Sequence, residues 1–134
     1  MIIGLGIDVI EVARMQRTIE RYGEKFLDHV FSSDEQEDAP KGAGKPSYYA
    51  GRWAAKEAVA KALGTGIGKD CGWTDVRVRR DELGKPRIEL TGAAAKTSER
   101  LEAENIHISI SHERHLACAS AVIEAAPRSP SPLP

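Results

Sequence analysis

The stretch SYYAGRWAAKEAVAKAL at residues 47–63 decides the fold. It consists largely of strong helix formers, Ser47 is a candidate N-cap, and Gly64 follows it as a candidate C-cap glycine. Its many alanines would let a neighbouring element pack closely against the helix. The sequence therefore predicts a tightly packed helix over residues 47–63.

The chain before this helix predicts a strand, a helix and a loop. Residues 2–12 are rich in Ile and Val, and the glycines at positions 4 and 6 permit close backbone approach, which favours a buried strand. From Ala13 to about Val30 the period becomes helical, with an apolar stripe at Met15, Ile19, Tyr22 and Phe26. Residues 33–47 are polar and contain prolines and glycines, so they predict a mobile surface loop.

The chain after the helix predicts a hairpin, a helix and two strands. TDVRVRR and RIEL flank the turn DELGKP as hairpin strands, and residues 92–104 favour a helix. NIHISIS alternates like a half-buried strand, and HLACASAVIEA favours another. The predicted class is α+β, with an antiparallel sheet packed against helices. We expect one domain over residues 1–126 and a disordered tail over residues 127–134, PRSPSPLP.

Composition restricts the classes of function. A chain of 134 residues fits one domain, and a net charge of -1 provides no field for nucleic acid or an anionic membrane surface. Cys71 and Cys118 match neither a disulfide framework nor a zinc spacing and are expected to be reduced thiols. The sequence contains no run of about 18 apolar residues and no signal-peptide pattern. The predicted location is the cytoplasm, with neither a nucleic-acid nor a membrane partner.

Asp8 is the first candidate functional residue. It lies within a run of Ile, Leu and Val, where a carboxylate needs a cation, hydrogen-bond donors or a raised pKa. It could instead cap the following helix or occupy an exposed strand end. Asp8 alone does not separate these interpretations.

Glu57 and Lys61 are the second candidate. They stand one helical turn apart, so both side chains can meet the same ligand, and Trp53 precedes them on that face. The same spacing is typical of an ordinary surface ion pair that stabilises a helix. Both interpretations remain open from the residues alone.

Other candidates carry weaker signals. His112 ends an alternating strand, where side chains often reach a cleft, although a histidine there is commonly structural. Its neighbours His107 and His115 complete no zinc motif. GLGIDV lacks the third glycine of a dinucleotide fingerprint, and GTGIGKD has no Ser or Thr after Lys69, so neither predicts a nucleotide loop.

One coherent charge pattern is present in the chain. Basic side chains follow a helical rhythm beside the apolar stripe, at Arg14, Arg17, Arg21 and Lys25. They form either a solvated helix face or a surface for an acidic partner.

Four segments together resemble the holo-acyl-carrier-protein synthases, a small single-domain type of 4′-phosphopantetheinyl transferase. They are GLGIDVIEVARM at 4–15, FLDHVFSSDE at 26–35, RWAAKEAVAKALGTGIG at 52–68 and ISISHERHLACASAV at 108–122. The WxxKEAxxKAxG pattern is the most specific of them, and the GKP turn at 84–86 adds to the resemblance. It covers the chain except the loop at 36–46 and the tail.

The resemblance implies transfer of 4′-phosphopantetheine from coenzyme A to a serine of apo-acyl-carrier protein, in fatty acid biosynthesis. It also implies a homotrimer with sites between subunits. Mg²⁺ would be held by Asp8 and Glu57, which suits an ion that prefers one or two carboxylates plus substrate phosphates. Glu57 would deprotonate the serine directly or through a metal-bound water, and Lys61 would stabilise the departing phosphate.

The resemblance assigns the remaining roles by position. His112 would lie near the coenzyme with a minor acid–base or binding role. The row on the first helix would meet the acidic helix of the carrier, with Arg14 the best single contact. Coenzyme contacts are expected from Arg52, Lys61, Gly64, Lys85, Pro86, Ser111 and His112.

Two other functions remain as alternatives. A thioester-handling enzyme would use coenzyme A without cleaving its pyrophosphate, and it would not need both Asp8 and Glu57. A non-catalytic carrier-binding module would keep the basic row and use the carboxylates only in structural ion pairs.

Overall fold

The fold of residues 1–127 is described by a computed structural model. The elements in chain order are β1 (Ile2–Glu11), α1 (Val12–Tyr22), α2 (Glu24–Val30), α3 (Ser33–Glu37), α4 (Lys45–Ala62), β2 (Val76–Arg80), β3 (Pro86–Leu90), α5 (Gly92–Arg100), β4 (Ala103–His112) and β5 (Leu116–Ala125). Short 3₁₀ turns span Gly42–Gly44 and Trp73–Asp75. No helix in this part of the chain is long and apolar enough to span a membrane.

Two antiparallel sheets pack with helices, which confirms the predicted α+β class. The larger sheet has the strand order β1-β5-β4, and β2 and β3 form a separate hairpin. Helix α4 lies across the larger sheet, and its alanines at positions 50, 54, 55, 58 and 60 are fully buried. The prediction of a tightly packed alanine-rich helix is therefore confirmed.

The outer face of the larger sheet, on the side away from α4, is apolar along β1. Leu5, Ile7 and Val9 are 70%, 68% and 62% exposed, whereas Ile10 on the opposite face is buried. Side chains alternate between the faces of a strand, so β1 presents one apolar face to α4 and another to solvent. We call the second face the outer apolar face.

The structure corrects four predicted boundaries. The helix predicted from Ala13 to Val30 is two helices, because Gly23 adopts a φ of 58° between them. The loop predicted at 33–47 contains α3, which begins with a reciprocal capping box between Ser32 and Glu35. Helix α4 begins at Lys45. Ser47 is therefore not its N-cap, and its hydroxyl instead donates to the Gly44 carbonyl oxygen at 3.2 Å.

The fourth correction concerns the second half of the chain. The helix predicted over 92–104 ends at Arg100, because the chain from Ala103 pairs with β5. The hairpin strands and both later strands are confirmed. Gly64 adopts a φ of 84°, as expected for a glycine that follows a helix end. Of the predicted tail, residues 128–134 lie outside the described part of the chain.

Candidate functional site

Strand β1 lies directly against the backbone of α4. A Cβ atom added at Gly4 would approach the Ala62 carbonyl oxygen to 2.0 Å, and one added at Gly6 would approach the Ala58 carbonyl oxygen to 1.9 Å. Two strand residues advance about 6.6 Å and four helix residues about 6 Å, so the strand and the helix stay in step. Asp8 comes two residues after Gly6 on the same face, and this contact therefore carries its side chain to the helix.

Asp8, Glu57 and Lys61 converge where β1 crosses α4. The Lys61 ammonium donates to an Asp8 carboxylate oxygen at 3.1 Å and to the Ile7 carbonyl oxygen at 2.9 Å. The Asp8 side chain is 16% exposed and the Lys61 side chain 48% exposed, so the cluster opens to solvent on the lysine side. We call these three residues the carboxylate cluster.

The structure does not agree with Asp8 as a helix cap or with Glu57 and Lys61 as an ordinary surface ion pair. Helix α1 begins after Glu11 without a side-chain cap, so Asp8 does not cap it. Lys61 pairs with Asp8 across two elements, and within residues 1–127 no ion pair joins it to Glu57. Lys61 therefore pairs with the carboxylate of the neighbouring strand and does not form an ordinary ion pair on the helix surface.

Glu57 is electrostatically coupled to this cluster. Burial raises the pKa of the Glu57 carboxyl above its usual value, the Asp8 carboxylate raises it further, and Lys61 lowers it. Two carboxylates with one half-exposed ammonium leave negative charge that a further cation would neutralise. Among the described residues no third His, Cys, Asp or Glu side chain joins a metal-ligating group, so additional ligands would have to come from substrate or water.

A basic cleft lies on another side of α4. It has a volume of about 590 Å³, and its lining includes Arg52, Arg80, His112 and Tyr48 together with one carboxylate, Asp38. The Arg52 side chain lies over the Tyr48 ring at 4.0 Å, is only 5% exposed, and its Nε has no hydrogen-bond partner within residues 1–127. Burial lowers the pKa of the Arg52 guanidinium, and Arg80 lowers it further. An anion in this cleft would satisfy both arginines.

The carboxylate cluster and the basic cleft lie on opposite flanks of α4 within one chain. Arg52 precedes Glu57 by five positions, which is roughly 140° around a helix. Glu57 faces the β1 side with Asp8, whereas Arg52 faces His112 at the end of β4, the strand farthest from β1 in the sheet. The structure thus brings Asp8, Glu57 and Lys61 together, and separately brings Arg52 and His112 together.

The other predicted coenzyme residues occupy several places. Pro86 lines a small cleft with Arg52 and His112, and Lys85 lines a cleft between the hairpin and β4. Gly64 is exposed just after the end of α4, near Lys61. Ser111 is exposed on the outer side of the sheet, opposite in direction to His112. Its predicted contact is not with the cleft that His112 lines.

Sequence reasoning missed two contributors to the basic cleft. Arg80 ends β2 after an alternating VRVRR run, and Tyr48 opens the apolar part of α4. The sequence did contain a signal for Arg80. Arg79 and Arg80 are adjacent at the end of the strand, so their side chains point to opposite faces and one of them must lie on the inner face. Tyr48 stands one helical turn before Arg52, so the spacing that places Lys61 near Glu57 also places the Tyr48 ring beside the Arg52 side chain.

The basic row lies on α1 and α2 and is exposed throughout. Within residues 1–127, no carboxylate lies within ion-pair distance of Arg14, Arg17, Arg21 or Lys25. Arg14 also borders a small apolar cavity of about 110 Å³ lined by Met15, Phe26 and Trp53 among others. The row is therefore free for an acidic partner.

Comparisons with known proteins agree on one family. The family described as the 4′-phosphopantetheinyl transferase superfamily matches residues 4–119. A holo-[acyl-carrier-protein] synthase of Vibrio cholerae serotype O1 is 42% identical over 92% of this chain and 98% of its own length. The protein of the same name from Escherichia coli O157:H7 is 43% identical over the same shares of the two chains.

Solved structures give the same result for the fold. A holo-(acyl-carrier-protein) synthase from Bacillus anthracis, in complex with CoA (3′,5′-ADP), has a TM-score of 0.79 and 38% identity over 94% of this chain and 99% of its own. A holo-[acyl-carrier-protein] synthase from Neisseria meningitidis has a TM-score of 0.85 and 32% identity over 92% and 99%. The similarity therefore extends over both the carboxylate cluster and the basic cleft.

Proposed function

Since the chain belongs to the 4′-phosphopantetheinyl transferase superfamily, we propose that it transfers the 4′-phosphopantetheine group from coenzyme A to a serine of apo-acyl-carrier protein in a Mg²⁺-dependent reaction. The products are holo-carrier protein and adenosine 3′,5′-bisphosphate. The family match and the identity to named synthases make the chain a phosphopantetheinyl transferase. We assign the reaction to the cytoplasm and to fatty acid biosynthesis.

The observation that carries the proposed chemistry is the convergence of Asp8 and Glu57 from separate elements beside Lys61. Both carboxylates are hard oxygen donors, and the Asp8 carboxylate disfavours the ionised form of Glu57 until a cation is present. This donor set fits Mg²⁺, which takes one or two carboxylates together with substrate phosphates. When bound there, the ion would neutralise negative charge on the coenzyme pyrophosphate.

The residues of the chain then have separate roles. Glu57 accepts the proton of the attacking serine hydroxyl, directly or through a water molecule, as a positioned carboxylate can. Lys61 donates hydrogen bonds to the leaving phosphate as negative charge develops there. The serine oxygen forms the new bond to the β-phosphorus, and the bond from that phosphorus to the bridging oxygen breaks.

The basic cleft is our proposed site for the other phosphate of the coenzyme. The 3′-phosphate needs positive groups, and the buried Arg52 guanidinium with its unpaired Nε provides them together with Arg80 and His112. Pro86 and Lys85 extend this surface along the hairpin turn. His112 is thus assigned to coenzyme binding rather than to the reacting phosphate.

We further propose a homotrimer in which each coenzyme lies between two subunits. The carboxylate cluster and the basic cleft lie on opposite flanks of α4, so one copy would supply the carboxylates and its neighbour the basic cleft. The outer apolar face supports self-association, because Leu5, Ile7 and Val9 form an exposed row on an edge strand. Sedimentation equilibrium would give three times the mass of the chain.

The carrier protein would dock on the basic row of α1 and α2. Its acidic helix would pair with Arg14, Arg17, Arg21 and Lys25, which form no ion pair with a carboxylate in the described chain. Arg14 lies at the edge of the small apolar cavity next to Trp53, so it also lies near the face of α4 that carries Glu57. This position suits a contact that presents the carrier serine to the site.

The decisive experiment mixes the full chain with coenzyme A, Mg²⁺ and apo-carrier protein and weighs the carrier by mass spectrometry. We expect a mass gain equal to phosphopantetheine, absent with EDTA and slowed at least about 100-fold in Glu57→Ala. Glu99→Ala, an exposed glutamate on α5, is the matched control and should retain full activity. A truncation after Ala126 should also remain active, because we place the catalytic domain at residues 1–126.

Two results would contradict the proposal. An unmodified carrier that still binds the protein would indicate a binding module without transferase chemistry. Equal transfer in the presence of EDTA would remove the magnesium role while leaving the transferase assignment in place.

A further inference from the structure

The ammonium of Lys61 occupies the place where a cation would meet Asp8. It lies 3.1 Å from an Asp8 carboxylate oxygen and 2.9 Å from the Ile7 carbonyl oxygen. The Asp8 side chain is largely buried, so the oxygen that faces Lys61 has little other access to solvent. In the free chain, a lysine therefore covers one of the two carboxylates that would hold the metal ion.

The charges at this point favour exchange of one cation for another. With Lys61 in place, the two carboxylates of the carboxylate cluster are only half neutralised. A divalent ion would neutralise both carboxylates, but it would then lie beside the Lys61 ammonium and be repelled by it. The ion and the ammonium therefore compete for the same carboxylate.

The Lys61 side chain is free to move away. It is 48% exposed and donates only two hydrogen bonds within the described chain, one of them to a backbone oxygen. An exposed lysine pair of this kind is held weakly and exchanges with solvent and other anions. A phosphate arriving at the open side of the cluster would offer Lys61 a stronger acceptor than the single Asp8 oxygen.

We propose that Lys61 is a resident cation that makes metal binding depend on the coenzyme. In the free chain it shields Asp8, and the incoming pyrophosphate draws it away and opens the carboxylate to the ion. This inference rests on the proposed function, because it takes the Asp8–Glu57 pair as the metal site. By linkage, coenzyme and metal then raise each other's affinity by the same factor.

The experiment measures Mn²⁺ binding, by electron paramagnetic resonance of the free ion, to the full-length chain with and without coenzyme A. Wild type is compared with Lys61→Met, which removes the ammonium, and Lys61→Arg, which keeps a positive charge. Lys96→Met on α5 is the control, because α5 makes its main contacts with β4 and the Trp73–Asp75 turn and not with β1. No transfer activity is measured, and the comparison made without coenzyme A does not involve the Lys61 phosphate contact.

Without coenzyme A, we expect Lys61→Met to bind Mn²⁺ about threefold to tenfold more tightly than wild type, because a nearby positive charge is gone. Lys61→Arg should stay within about twofold of wild type. Coenzyme A should raise the Mn²⁺ affinity of wild type by a larger factor than that of Lys61→Met. The control should match wild type in both conditions.

Equal or weaker Mn²⁺ binding by Lys61→Met in the free chain would overturn the inference. If wild type nevertheless bound Mn²⁺ with coenzyme A, the proposed metal site would stand and only the role of Lys61 would fall. If neither protein bound Mn²⁺ in any condition, the proposed magnesium site would fail and this inference with it. Far-ultraviolet circular dichroism and the Lys61→Gln variant separate either result from misfolding.

Discussion

Helix α4 carries two lysine–carboxylate pairs on different flanks, and they differ in how completely they are satisfied. Lys56 pairs with Glu35 at 2.9 Å, and both side chains are fully buried. Lys61 pairs with Asp8 at 3.1 Å, but its side chain is 48% exposed. The same two charge types therefore meet in a closed environment and in an open one.

The buried pair has a partner for each donor. The Lys56 ammonium donates to a Glu35 oxygen at 2.9 Å and to the carbonyl oxygens of Trp73 at 3.0 Å and Val76 at 2.5 Å. Glu35 also accepts hydrogen bonds from the backbone N–H groups of Ser32 and Val78. A buried charge is tolerated when its hydrogen bonds are complete. This pair ties α3, α4 and β2 together and leaves no capacity for a ligand.

The half-exposed Lys61–Asp8 pair, which we call the open pair, has hydrogen-bonding and charge capacity that the fold does not use. Lys61 retains a donor, and the Glu57 carboxylate beside it has no ion-pair partner within residues 1–127. Incomplete partners near solvent are typical of a site that awaits substrate. The Lys56–Glu35 pair thus stabilises the fold, whereas the Lys61–Asp8 pair is available for chemistry. The two lysines lie within six positions of one helix.

Lys56→Met gives the strongest test of the buried Lys56–Glu35 pair. Removing the ammonium leaves Glu35 as a buried charge with no counter-ion, and such losses cost about 3–5 kcal/mol of the free energy of unfolding. Urea denaturation followed by circular dichroism measures the change. Lys96→Met on the exposed face of α5 is the control and should cost less than about 0.5 kcal/mol.

A paired substitution sharpens this prediction. Lys56→Met combined with Glu35→Leu removes both charges and should recover part of the lost stability, although the Glu35 bonds to Ser32 and Val78 are then absent. A single Lys56→Met variant as stable as wild type would show that the buried pair is not structural.

Asp8→Asn should reduce the transfer activity strongly and the free energy of unfolding only slightly. It removes one carboxylate from the proposed metal site, so we expect transfer to the carrier to fall by about 10²–10³-fold. The free energy of unfolding should change by no more than about 1 kcal/mol, because the Asp8–Lys61 pair is open to solvent on one side. The mass-spectrometric assay and urea denaturation give the two numbers, with Glu99→Gln as the matched control.

A large loss of stability in Asp8→Asn would break the comparison, because the open pair would then be structural as well. Retained transfer with normal stability would instead remove Asp8 from the proposed site.

Much of this arrangement was predictable from local pattern. The alternating β4, the hairpin around GKP and the alanine-rich α4 each follow from residue periodicity. Gly4 and Gly6 indicated a close backbone approach, and the structure places the α4 backbone there. It was the family resemblance, and not local pattern, that predicted a shared site for Asp8 and Glu57, and the structure brings the two together with Lys61.

What escaped prediction depends on contacts between distant parts of the chain. Glu35 lies in a segment predicted as a loop, and its burial follows from Lys56, which lies 21 positions later. Lys56 stands in the same helix as the exposed Lys61, and no local signal distinguishes the two. Likewise, the separation of Arg52 and His112 from the carboxylate cluster follows from how α4 crosses the sheet.

The smallest effect concerns the stability cost of ionised Glu57 in the metal-free protein. Burial and the Asp8 carboxylate raise the pKa of Glu57 above the ordinary value of 4.5, so the folded protein holds this proton more tightly than the unfolded chain does. The free energy of unfolding therefore decreases as pH rises through the interval between the unfolded and folded pKa values. Glu57→Gln removes this dependence.

With EDTA present, Glu57→Gln should be slightly more stable than wild type at pH 7, and the difference should vanish as the pH falls below about 4.5. Urea denaturation at a series of pH values measures it, and Glu99→Gln, which changes an exposed carboxylate, should show no such trend. A stability difference that is constant with pH would mean that neither burial nor the Asp8 carboxylate raises the pKa of Glu57. Asp8 and Glu57 would then not repel each other, and the Lys61–Asp8 site would have no electrostatic preference for a further cation. This repulsion is what distinguishes the Lys61–Asp8 pair from the buried Lys56–Glu35 pair on the other flank of α4.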